Sequence, residues 1–331
     1  MAKRVGINGF GRIGRSVLRI LSHRDDLDVV AVNDLFDNDQ LAYLLKYDTV
    51  MGVLKREIRV EGDTMFVDEA KIAMTAHRNP ADIPWKDMGV DVVVEATGVF
   101  RNREPLERHL AAGASKVLLT VPAKDPIDAT IVLGVNDGDL RPEHQIVSNA
   151  SCTTNCLAPI VKILDDNFGL VEGFVTTVHA YTNDQRLADV PHKDPRRARA
   201  AAENIIPTTT GAARAVGTVL PHLAGKLDGM AMRVPVPDGS IVDLVCRLGK
   251  NVTAEDVNTA VRETAAGPMR AIVEYTEDPI VSSDIIGNPH SSIFDALSTR
   301  VLDGGYLKCV SWYDNEWGYS NRVVDLIKMV A

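Results

Sequence analysis

The run Ser148-Asn149-Ala150-Ser151-Cys152-Thr153-Thr154-Asn155-Cys156 places a thiol where a short apolar strand pattern, Gln145 to Ser148, gives way to a helical one. A cysteine in the first turn of a helix meets unpaired backbone N–H groups and the positive end of the helix dipole. Both lower a thiol pKa, and the same N–H groups can hold an oxyanion formed on a substrate carbon. The small polar residues after Ala150 make a poor core segment and a good anion-binding helix start. A nucleophilic Cys152 needs a base, and His179, closing the apolar run Phe174 to Val178, is the candidate. On residue type alone a packing cysteine and a structural histidine remain the competing readings. Cys156 lies one helical turn on, but C-x-x-x-C is not the redox spacing C-x-x-C. No second Cys or His pair stands at ligand spacing, so Cys156 reads as packing and no metal site is expected. Cys246 and Cys309 fall in strand-like runs and read as core.

A second constellation is Gly9-Phe10-Gly11-Arg12-Ile13-Gly14, the G-x-G-x-x-G spacing. Its glycines permit a tight turn, close backbone approach to a pyrophosphate, and close packing of helix on strand. The context supports it: Lys3 to Asn8 is a strand pattern, and Ile13, Val17, Leu18, Ile20 and Leu21 follow on one helical face. Asp34 ends the next apolar run, Val29 to Val32, in the position of an acid that hydrogen-bonds an adenosine ribose. Such an acid repels a 2′-phosphate, which favours NAD over NADP.

The elements that must carry these residues fall into two groups. Further strand patterns at Val90 to Glu95, Lys116 to Val121, Ala129 to Val135 and Gln145 to Ser148, with a helical stretch from Pro105 to Ala112, predict a Rossmann-type doubly wound sheet over residues 1–150. Beyond it come a helix from Ser151 to Phe168 and long strand patterns at Gly173 to Ala180, Met230 to Val236, Ser240 to Leu248 and Leu307 to Tyr313. The fold class is therefore α/β plus α+β, the second, catalytic domain being built on a mostly antiparallel sheet. Thr182 to Ala202 is polar and too long for an ordinary connection, which predicts a functional or interface segment. The amphipathic stretch Tyr319 to Val330 reads as a closing helix.

With 331 residues, two cores are the better prior. A formal net charge of −9 argues against nucleic acid as the main partner. No apolar run is long enough to cross a bilayer, and Met1 to Val5 leads straight into a strand pattern rather than a signal peptide. Four scattered cysteines are too few for a disulfide framework, so free thiols and a cytoplasmic location are expected.

Five segments in order, Ile7 to Arg15 (INGFGRIGR), Ser148 to Asn155 (SNASCTTN), Ile205 to Ala213 (IIPTTTGAA), Met232 to Pro235 (MRVP) and Ser311 to Tyr319 (SWYDNEWGY), closely resemble the phosphorylating, NAD-dependent glyceraldehyde-3-phosphate dehydrogenase family. The resemblance implies that Cys152 is the nucleophile and His179 its base. It implies cofactor contacts from Gly9, Gly11, Arg12, Ile13, Gly14, Asp34, Arg78, Thr120 and Asn315, the last at the nicotinamide amide. Thr182 and Arg233 match the family's site for the phosphate of glyceraldehyde 3-phosphate. Ser151, Thr153, Thr210 and Gly211 match its site for inorganic phosphate, with Arg197 between the two. Val190-Pro191 resembles the bulky pair of NAD-using members. The resemblance further implies a homotetramer and a final helix folded back on the nucleotide domain, so that residues 1–150 plus 316–331 form one domain and 151–315 the other.

The rival readings are an erythrose-4-phosphate dehydrogenase, which usually lacks the Thr208 to Gly211 pattern, a non-catalytic NAD- or RNA-binding sensor, and a cysteine hydrolase.

Overall fold

The computed structural model describes residues 2–303 and 305–330. The chain divides into two compact units: Met1–Ile131, Gly138–Ala150 and Ser320–Ala331 in the first, Val132–Asp137 and Ser151–Tyr319 in the second.

The first unit is built on a nine-stranded sheet whose centre is parallel. Lys3–Asn8 lies between Leu27–Asn33 and Val92–Glu95, and Lys116–Leu119, Ile146–Ser148 and Ala129–Thr130 continue outward on the Val92–Glu95 side. These strands are nearly continuous runs of valine, isoleucine and leucine because helices shield parallel sheets on both faces. Helices α1 (Arg12–Leu21), α2 (Asn38–Lys46) and α3 (Arg103–Ala111) belong to this unit. On the other side of the sheet Ala70–Thr75 pairs in parallel with Leu27–Asn33 and then turns into an antiparallel meander through Thr64–Val67 and Ile58–Glu61. The sequence reading missed α2 and this meander, whose strands are short and alternate with charged residues.

The second unit carries a seven-stranded sheet. Four of its six strand pairings are antiparallel, which is the mostly antiparallel sheet expected from the strand patterns. Helices α4 (Cys152–Phe168), α5 (Ala212–Val219) and α6 (Ala254–Ala266) pack on its strands. The final helix, α7 (Trp317–Val330), starts in the second unit and has its body, from Ser320, in the first.

One expected strand is cut short. Ala129 to Val135 forms a ladder only at Ala129–Thr130, and residues 132–137 go with the second unit instead of the first. The reason is local: Asn136 Oδ1 accepts the Val132 N–H at 2.9 Å and Asp137 Oδ1 accepts the Gly134 N–H at 3.0 Å. A turn thus satisfies the donors that a strand would have offered to a neighbour.

Candidate active site

In the first unit the three loop glycines are set apart by what surrounds them. Gly9 has φ +92, and a Cβ there would lie 2.6 Å from the Thr97 nitrogen. At Gly14 a Cβ would lie 2.2 Å from the Gly9 carbonyl oxygen, so helix and strand close on each other only without a side chain. Gly11 faces open space. It is also the N-cap of α1 and offers no side-chain cap. An open helix start beside a glycine without neighbours fits the bulk and charge of a pyrophosphate.

A cleft of about 310 Å³ adjoins this loop, lined among others by Asn33, Asp34, Arg78, Thr97 and Phe100. Asp34 braces the loop itself, its Oδ2 accepting the Phe10 N–H at 2.6 Å. Two candidates are otherwise engaged. The Arg12 guanidinium pairs with Asp48, and the Thr120 hydroxyl donates to the Glu95 carbonyl at 3.0 Å in a buried position. Beneath the cleft, Glu95 accepts from Asn8 Nδ2 at 2.6 Å and from the Thr97 N–H at 2.9 Å, and His109 Nε2 sits 3.1 Å away. Sequence reasoning missed this buried network because its members lie far apart in the chain.

In the second unit the nucleophile candidate opens α4. Ala150, immediately before it, has φ +54, a left-handed conformation that turns the chain sharply out of the preceding strand. Ser151 is the N-cap, and its hydroxyl accepts the Thr154 N–H at 3.1 Å. That cap satisfies the Thr154 N–H, and the Thr153 N–H is offered to the Cys152 sulfur.

Cys152 Sγ lies 3.5 Å from His179 Nε2. His179 ends the strand Leu170–Ala180, 27 residues on. Its Nδ1 lies 2.7 Å from the Ala180 carbonyl oxygen and 2.9 Å from Arg233 Nη1, contacts that fix the ring with Nε2 turned to the thiol. The Arg233 guanidinium stands behind the ring, with Nη1 donating to the same carbonyl at 2.9 Å and to Thr182 Oγ1 at 3.1 Å. Burial first, and the Arg233 charge second, lower the His179 pKa to about 3. The imidazole is therefore neutral at neutral pH. Burial pushes the Cys152 thiol up, opposed by Arg233 and by Thr153. Cys152 is only half-buried, so this effect is weaker for it than for the enclosed Cys156.

Thr182, Arg197 and Arg233 share a charged cluster. Thr182 Oγ1 and Arg197 both reach Asp184, and Arg197 Nε donates to Thr208 Oγ1 at 2.9 Å. Burial would raise Asp184, but the Thr182 hydroxyl, Arg233 and Arg197 together hold it below the usual carboxylate range. Thr210 Oγ1 accepts the Ala212 N–H at 3.2 Å, and Gly211, the N-cap of α5, faces open space. Thr153 is more buried than expected: its hydroxyl lies 2.8 Å from Tyr313 Oη, which is also 2.9 Å from Thr177 Oγ1. No sequence signal marked Tyr313. Asn315 accepts from Ser240 Oγ at 2.6 Å through Oδ1. Cys156, Cys246 and Cys309 are buried and free, as read from sequence. Among the described residues no cluster of His, Cys, Asp or Glu could hold a metal ion.

Two family models match the chain: "Glyceraldehyde 3-phosphate dehydrogenase, NAD binding domain" over residues 3–103 and "Glyceraldehyde 3-phosphate dehydrogenase, C-terminal domain" over residues 151–315. Among curated relatives, glyceraldehyde-3-phosphate dehydrogenase 2 of Streptomyces avermitilis is 57% identical over 100% of this chain and 99% of its own length. The glyceraldehyde-3-phosphate dehydrogenase of Geobacillus stearothermophilus is 57% identical over the same shares, and glyceraldehyde-3-phosphate dehydrogenase 1 of Bacillus subtilis 55%. With this identity over the full length and family models matching both parts of the chain, the chain belongs to the glyceraldehyde-3-phosphate dehydrogenase family.

Proposed function

We propose that this chain carries out the reversible oxidative phosphorylation of D-glyceraldehyde 3-phosphate to 1,3-bisphosphoglycerate, using NAD and inorganic phosphate, through a thioester on Cys152. The observation that carries the mechanism is the 3.5 Å approach of Cys152 Sγ to an imidazole nitrogen whose partner nitrogen is fixed on the Ala180 carbonyl. His179 Nε2 takes the thiol proton as sulfur adds to the aldehyde carbon. The first-turn amides of α4 hold the oxygen as charge develops on it, and His179 returns the proton to that oxygen, giving the hemithioacetal and a neutral imidazole again. His179 then accepts the hydroxyl proton as the carbon is oxidised to the thioester. Bound NAD supplies the hydride acceptor for that oxidation. Inorganic phosphate attacks the thioester, and Cys152 leaves as thiolate.

Arg233 and Thr182 are the ligands proposed for the substrate's phosphate. Ser151, Thr153, Thr210 and Gly211 are those for the attacking one, with Arg197 serving both. The Thr153 hydroxyl is tied to Tyr313, and its backbone N–H is directed at the Cys152 sulfur. NAD is assigned to the glycine loop, with Asp34 at the ribose, Arg78 in the same cleft, Thr120 at the end of its strand, and Asn315 at the nicotinamide amide. Arg12 and Ile13 contribute backbone amides, since the Arg12 side chain is held by Asp48.

Glycine chemistry separates folding from binding here. Gly14→Ala should cost about 2–3 kcal/mol of stability by overpacking. Gly11→Ala should leave stability within about 1 kcal/mol while weakening NAD binding at least about tenfold. Urea denaturation and NAD titration of the two variants check both.

A homotetramer is proposed because one face of the second unit's sheet keeps large apolar side chains in the open. Phe174 is 73% exposed, and its ladder partner Val245 and nearby Met230 and Tyr306 are exposed as well. The exposed Leu187 and Val190 extend the same argument to the segment 182–202. The nucleotide domain is assigned to 1–150 with the final helix, and the catalytic domain to the remainder. A cytoplasmic location suits four free thiols, and among the described residues no helix is long and apolar enough to cross a membrane.

Omitting inorganic phosphate tests the thioester route. NADH formation from glyceraldehyde 3-phosphate should shrink to one burst per active site followed by slow hydrolysis, and undiminished steady turnover would refute the route. A higher kcat/KM with erythrose 4-phosphate would overturn the substrate assignment.

A further inference from the structure

The mechanism leaves one buried acid without a task. Asp238 and Asp314 are each 1% exposed and both lie in the second unit. Neither meets a lysine or arginine among the described residues. Asp314 is surrounded by donors: its Oδ1 accepts the Glu316 N–H at 2.9 Å and the Trp317 N–H at 2.6 Å, and its Oδ2 the Gly287 N–H at 2.7 Å. These suit an anion. Asp238 differs. Its Oδ1 accepts the Gly239 N–H at 2.8 Å, while its buried Oδ2 finds no donor and has the Asp314 carboxyl as its neighbour. Two acceptors facing each other in a dry site repel unless a proton lies between them.

We propose that Asp238 is a positioning residue that works as a neutral acid, donating its proton to Asp314 and thereby fixing Asn315 and the Gly239-Ser240 turn beside the catalytic histidine.

The connections are short. Asn315 follows Asp314 in the chain, and Ser240 Oγ donates to its Oδ1 at 2.6 Å. The same Oγ accepts the Ala180 N–H at 3.1 Å, one residue from His179. The turn has little room to move: Gly239 has φ +86, and a Cβ there would lie 2.3 Å from the Ser282 carbonyl oxygen. The charged groups facing Asp238 are Asp314 and Glu316, and burial first and these two next push its carboxyl well above the usual range. Burial also raises Asp314, against its three N–H donors. Cys152 feels the Asp238 charge too, which would raise the thiol pKa further, so a neutral Asp238 keeps a negative charge away from the nucleophile. The consequence for cofactor orientation rests on the reading of Asn315 as the nicotinamide-facing residue.

The test compares Asp238→Asn, which retains a donor toward Asp314, with Asp314→Asn, which replaces an acceptor by a donor. An acid held protonated in the fold ionises on unfolding, so the native chain loses stability relative to Asp238→Asn as pH rises from about 5 to about 8. The Tm gap between the two should widen over that range. Asp314→Asn should lower kcat/KM for NAD about tenfold or more, with KM rising more than kcat falls. A gap that stays constant with pH would overturn the proposal. So would a native protein with no protonated-carboxyl infrared band at about pH 8, a measurement that needs no variant to fold. Asn315→Ala tells the two readings apart: an unchanged KM for NAD removes the nicotinamide role, while the pH-dependent gap of Asp238→Asn decides the neutral acid by itself.

Discussion

Cys152→Ser abolishes phosphate-dependent NADH formation, with an expected fall in kcat on the order of 10⁴ to 10⁶, the range typical of removing a covalent nucleophile. The two side chains are nearly isosteric and Ser151 still caps α4, so the Tm and NAD affinity should be retained. What changes is chemistry at one atom. A serine hydroxyl is a far weaker acid than a thiol, and His179, with its pKa lowered to about 3, is too weak a base to compensate. An acyl-serine ester would also conserve less of the oxidation energy for transfer to phosphate. NADH formation at saturating substrate, with a thermal melt as control, checks the prediction; activity within a hundredfold of the native chain would reject Cys152 as the nucleophile.

The second large effect is at His179. His179→Asn should lower kcat by about 10² to 10⁴, the usual worth of a general base, with the KM for NAD little changed. A separate signature comes from protons. The folded chain keeps His179 neutral until about pH 3, whereas the unfolded chain protonates it near 6.5. The histidine's contribution to stability is therefore present above pH 6.5 and is lost as pH falls through that window, at up to about 1.4 kcal/mol per pH unit. The asparagine variant should lose stability less steeply with acid. Urea melts at several pH values between about 4 and 7 measure the difference, and parallel slopes would contradict a buried neutral imidazole.

How much of this was legible in the sequence depends on the range of the interaction. The glycine loop was readable because strand, turn and helix follow within 21 residues and each glycine answers a local constraint. The helix start at Ser151 and Cys152 was readable for the same reason. The helix α6 carried a readable signal, Thr253 and Asp256 in a capping box, which the apolar periodicity alone did not bring out. The polar meander at Ile58–Thr75 gave no run of branched apolar residues to detect. Contacts between distant segments were not legible. Residue type offered His179 as a candidate base for Cys152, and the family resemblance chose that reading over a structural histidine. Nothing in the sequence paired Thr153 with Tyr313, or Glu95 with His109. The positive φ at Ala150 was also hidden, since alanine is not a residue that advertises a left-handed turn.

The return of the chain's end to its beginning bears on how the protein is made. Ser320–Ala331 belongs to the first unit, and Val323, Val324, Leu326 and Ile327 are at most 1% exposed. While the ribosome adds the roughly 180 residues that follow Ala150, on the order of ten to forty seconds at 5–20 residues per second, the emerging nucleotide half lacks its last apolar helix. That half stays incomplete until the segment from Ser320 has been made, and during the wait its uncovered surface is open to chaperones or to another nascent chain.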